Sequence, residues 1–215
     1  MTDFISRNPS LLFLPGASGD GAFWHSAAAH LSAAWSKTYL NWPGLGNQAH
    51  EPEVGDFAGL IRLTKDKLYR PSIVVAQSMG GIVAIELALR YPELVTHLVL
   101  VATSGGLDVT RYDGEDWREA FSTSFPNTST WILREKQDML HRLCSLRLPT
   151  LLIWGECDRI SPPAVGRLFH RKIAQSSLHV IPGAEHDLAI THAGIVGDRI
   201  SALLTASQKS AGKSA

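Results

Sequence analysis

Apolar positions along the chain fall into two alternating rhythms. Short runs, apolar on nearly every successive residue, occur at Leu11 to Leu14, Thr38 to Trp42, Ser72 to Ala76, His97 to Ala102, Thr150 to Trp154 and Leu178 to Ile181. Unbroken runs of this length, rich in leucine and β-branched residues, predict strands covered on both faces, as in a parallel sheet flanked by helices. Longer amphipathic stretches lie between them and predict helices over Ala22 to Ala34, Asp56 to Leu68, Met79 to Tyr91, Pro163 to Ile173 and Leu188 to Leu204. The third of these stops before Pro92, whose ring disfavours a helical residue ahead of it. The repeated strand–helix unit predicts an α/β fold: a doubly wound, mainly parallel sheet of about six strands, with ligands beyond their carboxyl ends.

One interval interrupts the rhythm. From Ser104 to Leu148 no strand is predicted, but Trp117, Phe121, Phe125 and Trp131 cluster there. The stretch Trp131 to Cys144 spaces Ile132, Leu133, Met139, Leu140 and Leu143 for one helical face. A long insertion at the carboxyl edge of a sheet reads either as a short cap over a binding site or as a packed satellite core. The expected organisation is one domain spanning residues 1–215, with 104–148 inserted and Thr205 to Ala215 as a frayed Ser/Ala/Lys-rich end.

Composition narrows the function. Lys plus Arg and Asp plus Glu both total 20, so there is no basic face to suggest a nucleic-acid partner. No run reaches the roughly 18 apolar residues of a membrane span, and residues 1–10 lack a basic, then apolar, leader. Cys144 and Cys157 stand in no metal-like or redox spacing. They fit a reducing cytoplasm.

The chemistry begins in "SIVVAQSMGGIVAIELALRYP". An apolar strand ends at Ala76, Ser78 follows within two residues, and a helix opens at Met79-Gly80-Gly81. This is the G-x-S-x-G nucleophile elbow with alanine at its first position. A serine on so sharp a turn needs small residues two before and two after it, where strand and helix approach; Ala76 and Gly80 are small. The turn aims the first helical N–H groups, Met79 foremost, at whatever Ser78 attacks, and the helix N-terminus favours developing negative charge.

A serine hydroxyl needs a base, and the base an orienting carboxylate, at the carboxyl ends of later strands in the order Ser, acid, His. "PTLLIWGECDRISPP" places Asp158 four residues beyond Trp154, and "SLHVIPGAEHDLA" places His186 five residues beyond Ile181. Glu156 is the competing acid but sits nearer its strand. Asp187 suits the start of the following helix, His179 lies inside a strand, and His192 lies in the last helix. His25, His30 and His50 have no paired acid in the sequence.

With "LLFLPGASGDGAFW", "WPGLGNQ", "AQSMGG", "WGECDRISPP" and "PGAEHDL" in this order, the chain resembles α/β-hydrolases of the small, lidded serine esterase type. The likeness runs over nearly the whole chain. Relatives commonly carry His-Gly where Pro15-Gly16 stands, and Gly where Ala76 stands. They also usually begin with a two-stranded hairpin, whereas about ten residues precede the first strand here. The resemblance implies six parallel core strands, a reduced cap over Ser104 to Leu148, and an oxyanion hole formed by the N–H groups of Ala17 and Met79. It implies no metal or organic cofactor and a small-molecule, ester-like substrate. Trp24, Trp117, Phe121, Phe125 and Trp131 are candidate substrate-binding residues.

The implied reaction is cleavage of carboxylic esters of small to medium apolar molecules through an acyl-enzyme. The alternatives are carbon–carbon hydrolysis of aromatic ring-cleavage products, for which Arg111, Arg118 and Arg134 could bind carboxylates, and a hydrolase-like ligand receptor. The glycine loop at Gly16, Gly19 and Gly21 fits this picture. It has neither the spacing of a dinucleotide fingerprint nor the Gly-Lys-Ser/Thr of a phosphate loop. The anion expected near its N–H groups is a transient oxyanion.

Overall fold

A computed structural model describes the chain from residue 9 to residue 211. Six parallel strands form one sheet in the order β2-β1-β3-β4-β5-β6, with β1 Ser10–Leu14, β2 Ser36–Tyr39, β3 Ser72–Gln77, β4 Val95–Val101, β5 Thr150–Gly155 and β6 Ser176–Ile181. Each predicted run coincides with a strand except Thr38 to Trp42, of which only Thr38 and Tyr39 belong to β2, and the class is the expected doubly wound α/β fold. The interior strands β3 and β5 are buried at every position, which is why their sequences show no polar alternation. The edge strand β2 alternates exposed and half-buried residues.

Successive residues of β1 enter opposite cores. Leu12 and Leu14 join Trp42, Leu60, Val83 and Phe169 on one face, whereas Leu11 and Phe13 join Trp24, Ala27, Val196 and Ile200 on the other. The first face is covered by α2 Phe57–Lys67, α3 Gly80–Arg90 and α6 Pro163–Lys172, the second by α1 His25–Ala28, α7 Leu188–Thr191 and α8 Ala193–Ala211. Asp56 caps α2 by accepting the Gly59 N–H at 2.6 Å, and Pro163 opens α6 where no N–H is required.

Several helices differ from expectation. The stretch Ala22 to Ala34 is a 3-10 turn, Gly21–Trp24, running into the single turn of α1. The last predicted helix breaks at His192 between α7 and α8, and α8 continues to Ala211 through residues expected to fray. The rest of that expected tail, residues 212–215, lies outside the described residues. The excursion between β4 and β5 contains α4 Arg118–Ser124, α5 Trp131–Arg134 and a 3-10 segment Leu140–Ser145. The single helix expected over Trp131 to Cys144 therefore stops at Arg134. Glu135 turns extended and its carboxylate accepts the Phe57 N–H at 3.3 Å. The Met139 N–H, which a continuing helix would turn back on its own axis, bonds the distant Gly105 carbonyl at 2.9 Å instead.

Strand order reverses at β1, which lies between β2 and β3. The loops leaving β1 and β3 are therefore neighbours at the carboxyl edge but depart to different sides, opening a crevice there. Among the described residues no helix is long and apolar enough to cross a membrane, and no group of three or more His, Cys, Asp or Glu is placed to hold a metal ion.

Candidate active site

Ser78 leaves β3 in the left-handed region, at φ 51°. That conformation is costly for a residue with a Cβ, by about 1–3 kcal/mol, and persists only where its surroundings hold it. Here the Ser78 N–H bonds the Val101 carbonyl at 2.9 Å, and the Ser78 carbonyl accepts the Gly81 N–H at 3.0 Å as α3 begins. Gly80 makes the turn possible. A Cβ there would lie 2.3 Å from the Pro15 carbonyl oxygen, so strand β1's exit and the start of α3 meet only because that atom is missing.

Asp158 and His186 come from the exits of β5 and β6. These two loops are knitted together: the Cys157 N–H bonds the Ala184 carbonyl at 2.8 Å, and the Glu156 N–H bonds that of Ile181 at 3.0 Å. Gly155 allows the approach, since a Cβ would come within 2.3 Å of the Ala184 oxygen. Asp158 is buried, with 0% of its side chain exposed; its Oδ1 accepts the N–H groups of Ile160 at 2.9 Å and Ser161 at 2.8 Å. Its Oδ2 lies 2.9 Å from His186 Nδ1, and His186 Nε2 lies 3.0 Å from Ser78 Oγ. With the proton on Nδ1 held by the carboxylate, Nε2 is left to accept from the serine hydroxyl.

The competing acid goes elsewhere. Glu156 is exposed, and its carboxylate accepts the Gly183 N–H at 3.0 Å, bracing the histidine loop without touching the imidazole. Asp187 is the N-cap position of α7, as expected. His50 binds Ser129 and the Asn127 carbonyl, away from the three residues.

Ser78 and His186 lie in the wall of a cavity of about 930 Å³ between the sheet's carboxyl edge and the excursion. Ala17 and Met79 line it too, and among the described residues no backbone or side-chain acceptor takes either N–H. Three of the expected aromatics, Trp117, Phe121 and Phe125, are in the wall, packed edge-on and then tilted in sequence with centroids 5.2 and 5.0 Å apart. Two are not. Trp24 is fully buried on the second face of the sheet, where its Nε1 donates to the Leu14 carbonyl at 3.0 Å. Trp131 packs edge-on against Phe57, with centroids 5.3 Å apart, and Phe57 is the one that faces the cavity.

Sequence reasoning missed Phe23, Gln77, Ile132 and Glu135, all of which line the cavity. Phe23 was one residue from the expected Trp24; the 3-10 turn rotates the first outward and the second into the core. Gln77 carried a signal, being next to the nucleophile on the strand that ends there.

The chain matches the Alpha/beta hydrolase family over residues 11–143, more than half its length. It is 24% identical to a pimeloyl-(acyl-carrier protein) methyl ester esterase of Pseudoalteromonas atlantica, covering 89% of this chain and 92% of that protein. It is 26% identical to a 2-hydroxy-6-oxononadienedioate/2-hydroxy-6-oxononatrienedioate hydrolase of Paraburkholderia phymatum, covering 83% of this chain and 80% of that one. The crystal structure of a hydrolase from Pseudomonas aeruginosa PA01 superposes with a TM-score of 0.76 at 20% identity, covering 93% and 91% of the two chains. Family profile, sheet order and full-length relatives agree: this chain belongs to the alpha/beta hydrolase family.

Proposed function

We propose that the chain is a serine hydrolase that cleaves carboxylic esters of small to medium apolar substrates through an acyl-enzyme. The observation that carries this reading is the hydrogen-bonded line from Asp158 through His186 to Ser78 at the wall of a large, partly aromatic cavity. Ser78 Oγ attacks the ester carbonyl carbon while His186 Nε2 takes its proton. Asp158 holds the ring and stabilises the imidazolium. The carbonyl oxygen, now an oxyanion, is met by the N–H groups of Ala17 and Met79; a donor fixed in this way contributes about 3 kcal/mol to the transition state. His186 then gives its proton to the departing alcohol, leaving an acyl group on Ser78. Water, deprotonated by the same nitrogen, releases the acid and restores the serine. In this reading the excursion over residues 104–148 is a short cap on a single domain.

The esterase relatives support the bond type. The dienedioate hydrolase relatives support a second reading, cleavage of a carbon–carbon bond by the same three residues. Substrates of that kind carry carboxylates and call for a cation in the wall. Arg111 and Arg118 do line the cavity, whereas Arg134 does not. Arg118 is occupied by Asp116 at 2.9 Å and the Leu133 carbonyl at 3.2 Å, and Arg111 lies 3.6 Å from Asp108. Both guanidiniums are matched by carboxylates, and the third cation in the wall, Lys136, shares it with Glu115, Glu135, Asp138 and Asp187, so the neutral ester is the better fit.

A panel of esters, thioesters, lactones and vinylogous diketones separates the two. The expected result is multiple turnovers on short-chain p-nitrophenyl esters, reduced at least about a thousandfold in Ser78→Ala and nearly as much in His186→Ala. A wild-type protein that turns over no ester and does not react with a fluorophosphonate would point to a ligand receptor instead.

A further inference from the structure

We propose that the indole N–H groups of Trp24 and Trp42 position the oxyanion hole by fixing the strand exit that leads to Ala17. The inference builds on the ester-hydrolase reading above. Three successive carbonyls in this exit have dedicated donors. Leu14 accepts from Trp24 Nε1 at 3.0 Å, Pro15 accepts from Trp42 Nε1 at 2.8 Å, and Gly16 accepts from the Gly19 N–H at 3.1 Å. The sheet itself stops supplying donors on the β2 side just before this, where the Leu40 N–H bonds the Phe13 carbonyl at 3.0 Å.

A trans peptide points its N–H opposite to its C=O, and the described residues contain no cis peptide. Tethering the Leu14, Pro15 and Gly16 oxygens therefore orients each following peptide plane, ending with the plane that carries the Ala17 N–H. Pro15 has no N–H of its own to compete for an acceptor.

The two indoles reach this exit from opposite sides. Both are fully buried, Trp24 in the core on one face of the sheet and Trp42 in the core on the other. A buried indole N–H gains from an acceptor; among the described residues Trp131 Nε1 is buried without one, whereas Trp24 and Trp42 each hold a carbonyl of this exit. Trp42 also acts on the second donor. The Pro15 oxygen that it holds is the same atom that abuts Gly80 at the start of α3. This carbonyl thus sets the spacing between the loop bearing Ala17 and the helix start bearing Met79, the two proposed donors.

The test replaces each indole by a ring without the N–H, in Trp42→Phe and, separately, Trp24→Phe. Active sites are titrated with a fluorophosphonate so that kcat is expressed per competent Ser78. The expected result is a fall in kcat of about tenfold with KM within about twofold, a fraction of the hundredfold or more that loss of a whole oxyanion donor costs. Affinity for an alkylboronic acid, which forms a tetrahedral adduct with the serine, should fall in parallel, whereas affinity for the product carboxylate should not. A purely structural role would lower Tm and the titrated fraction but leave per-site kcat and boronate affinity unchanged; that result in whichever variant folds overturns the inference. If the wild type itself neither hydrolyses the ester nor takes the fluorophosphonate, the ester-hydrolase reading fails first, and this inference with it.

Discussion

Ser78 holds a backbone conformation that its own side chain opposes, and its neighbours supply what keeps it there. Gly80 is the most sensitive of them, because the atom nearest its missing Cβ is a backbone oxygen that cannot rotate away. Gly80→Ala is expected to destabilise the fold by about 1–3 kcal/mol, the usual cost of overpacking, and to lower kcat more than it raises KM. Urea unfolding and steady-state kinetics on one ester check both parts. Asp158 and Glu156, two residues apart, make a second contrast. Asp158→Asn removes the charge facing His186 and should cost activity by orders of magnitude, whereas Glu156→Ala loses only a brace on the Gly183 N–H and should cost a few fold. An equal loss in the two variants, measured as kcat/KM, would overturn the choice of acid. These residues were legible in the sequence because each sits at a fixed offset from a strand that announces itself by its apolar run. Trp24 was not, because a residue in a tight 3-10 turn can face either way, and only the core behind β1 determines which.

At the scale of elements, three of the fastenings between the excursion and the body lie in its second half. Near its middle, the Ser129 N–H bonds the Gly44 carbonyl at 2.7 Å, Thr128 Oγ1 accepts the Gly46 N–H at 3.1 Å, and His50 bridges Ser129 Oγ and the Asn127 carbonyl, each at 3.2 Å. Further on, Glu135 and Trp131 both engage Phe57 at the start of α2. The far end is tied to α3, where the buried Glu86 carboxylate pairs with Arg90 at 2.8 Å and with Arg142. His50→Ala should loosen the first fastening alone. Amide hydrogen exchange over residues 127–129 should quicken, while exchange in β3 and β5 stays as in the wild type. The strands were legible because burial on both faces leaves a continuous apolar signature. The excursion was not: its apolar spacing suits one long helix, but long-range bonds to Phe57 and Gly105 break it at Glu135, and no local pattern encodes a partner so distant in sequence.

For the whole molecule, the site is a consequence of topology. The strand order turns back at β1, so the exits of β1 and β3 part and leave Ala17 and Ser78 on the two sides of one crevice, with the β5 and β6 exits bringing the acid and the histidine. The order of motifs along the chain places Ser78, Asp158 and His186 at strand exits, whereas the strand order and its reversal at β1 are visible only in the fold. Stability should also depend on pH in a definite direction. Burial lowers the pKa of His97 from the usual 6.5, and burial together with the Arg199 charge lowers that of His179. The unfolded chain therefore binds protons that the fold resists, so stability is full above about pH 6.5 and falls as the pH drops below it. The midpoint of urea unfolding should decrease between pH 7.5 and 5.5, and decrease less in His97→Gln. Ser78 as the carrier of the acyl group is tested by peptide mapping by mass spectrometry after acid quench during turnover of p-nitrophenyl butanoate. A butanoyl group on Ser78, absent in Ser78→Ala, is the expected result; continued wild-type turnover with the acyl group on another residue would overturn the assignment of Ser78.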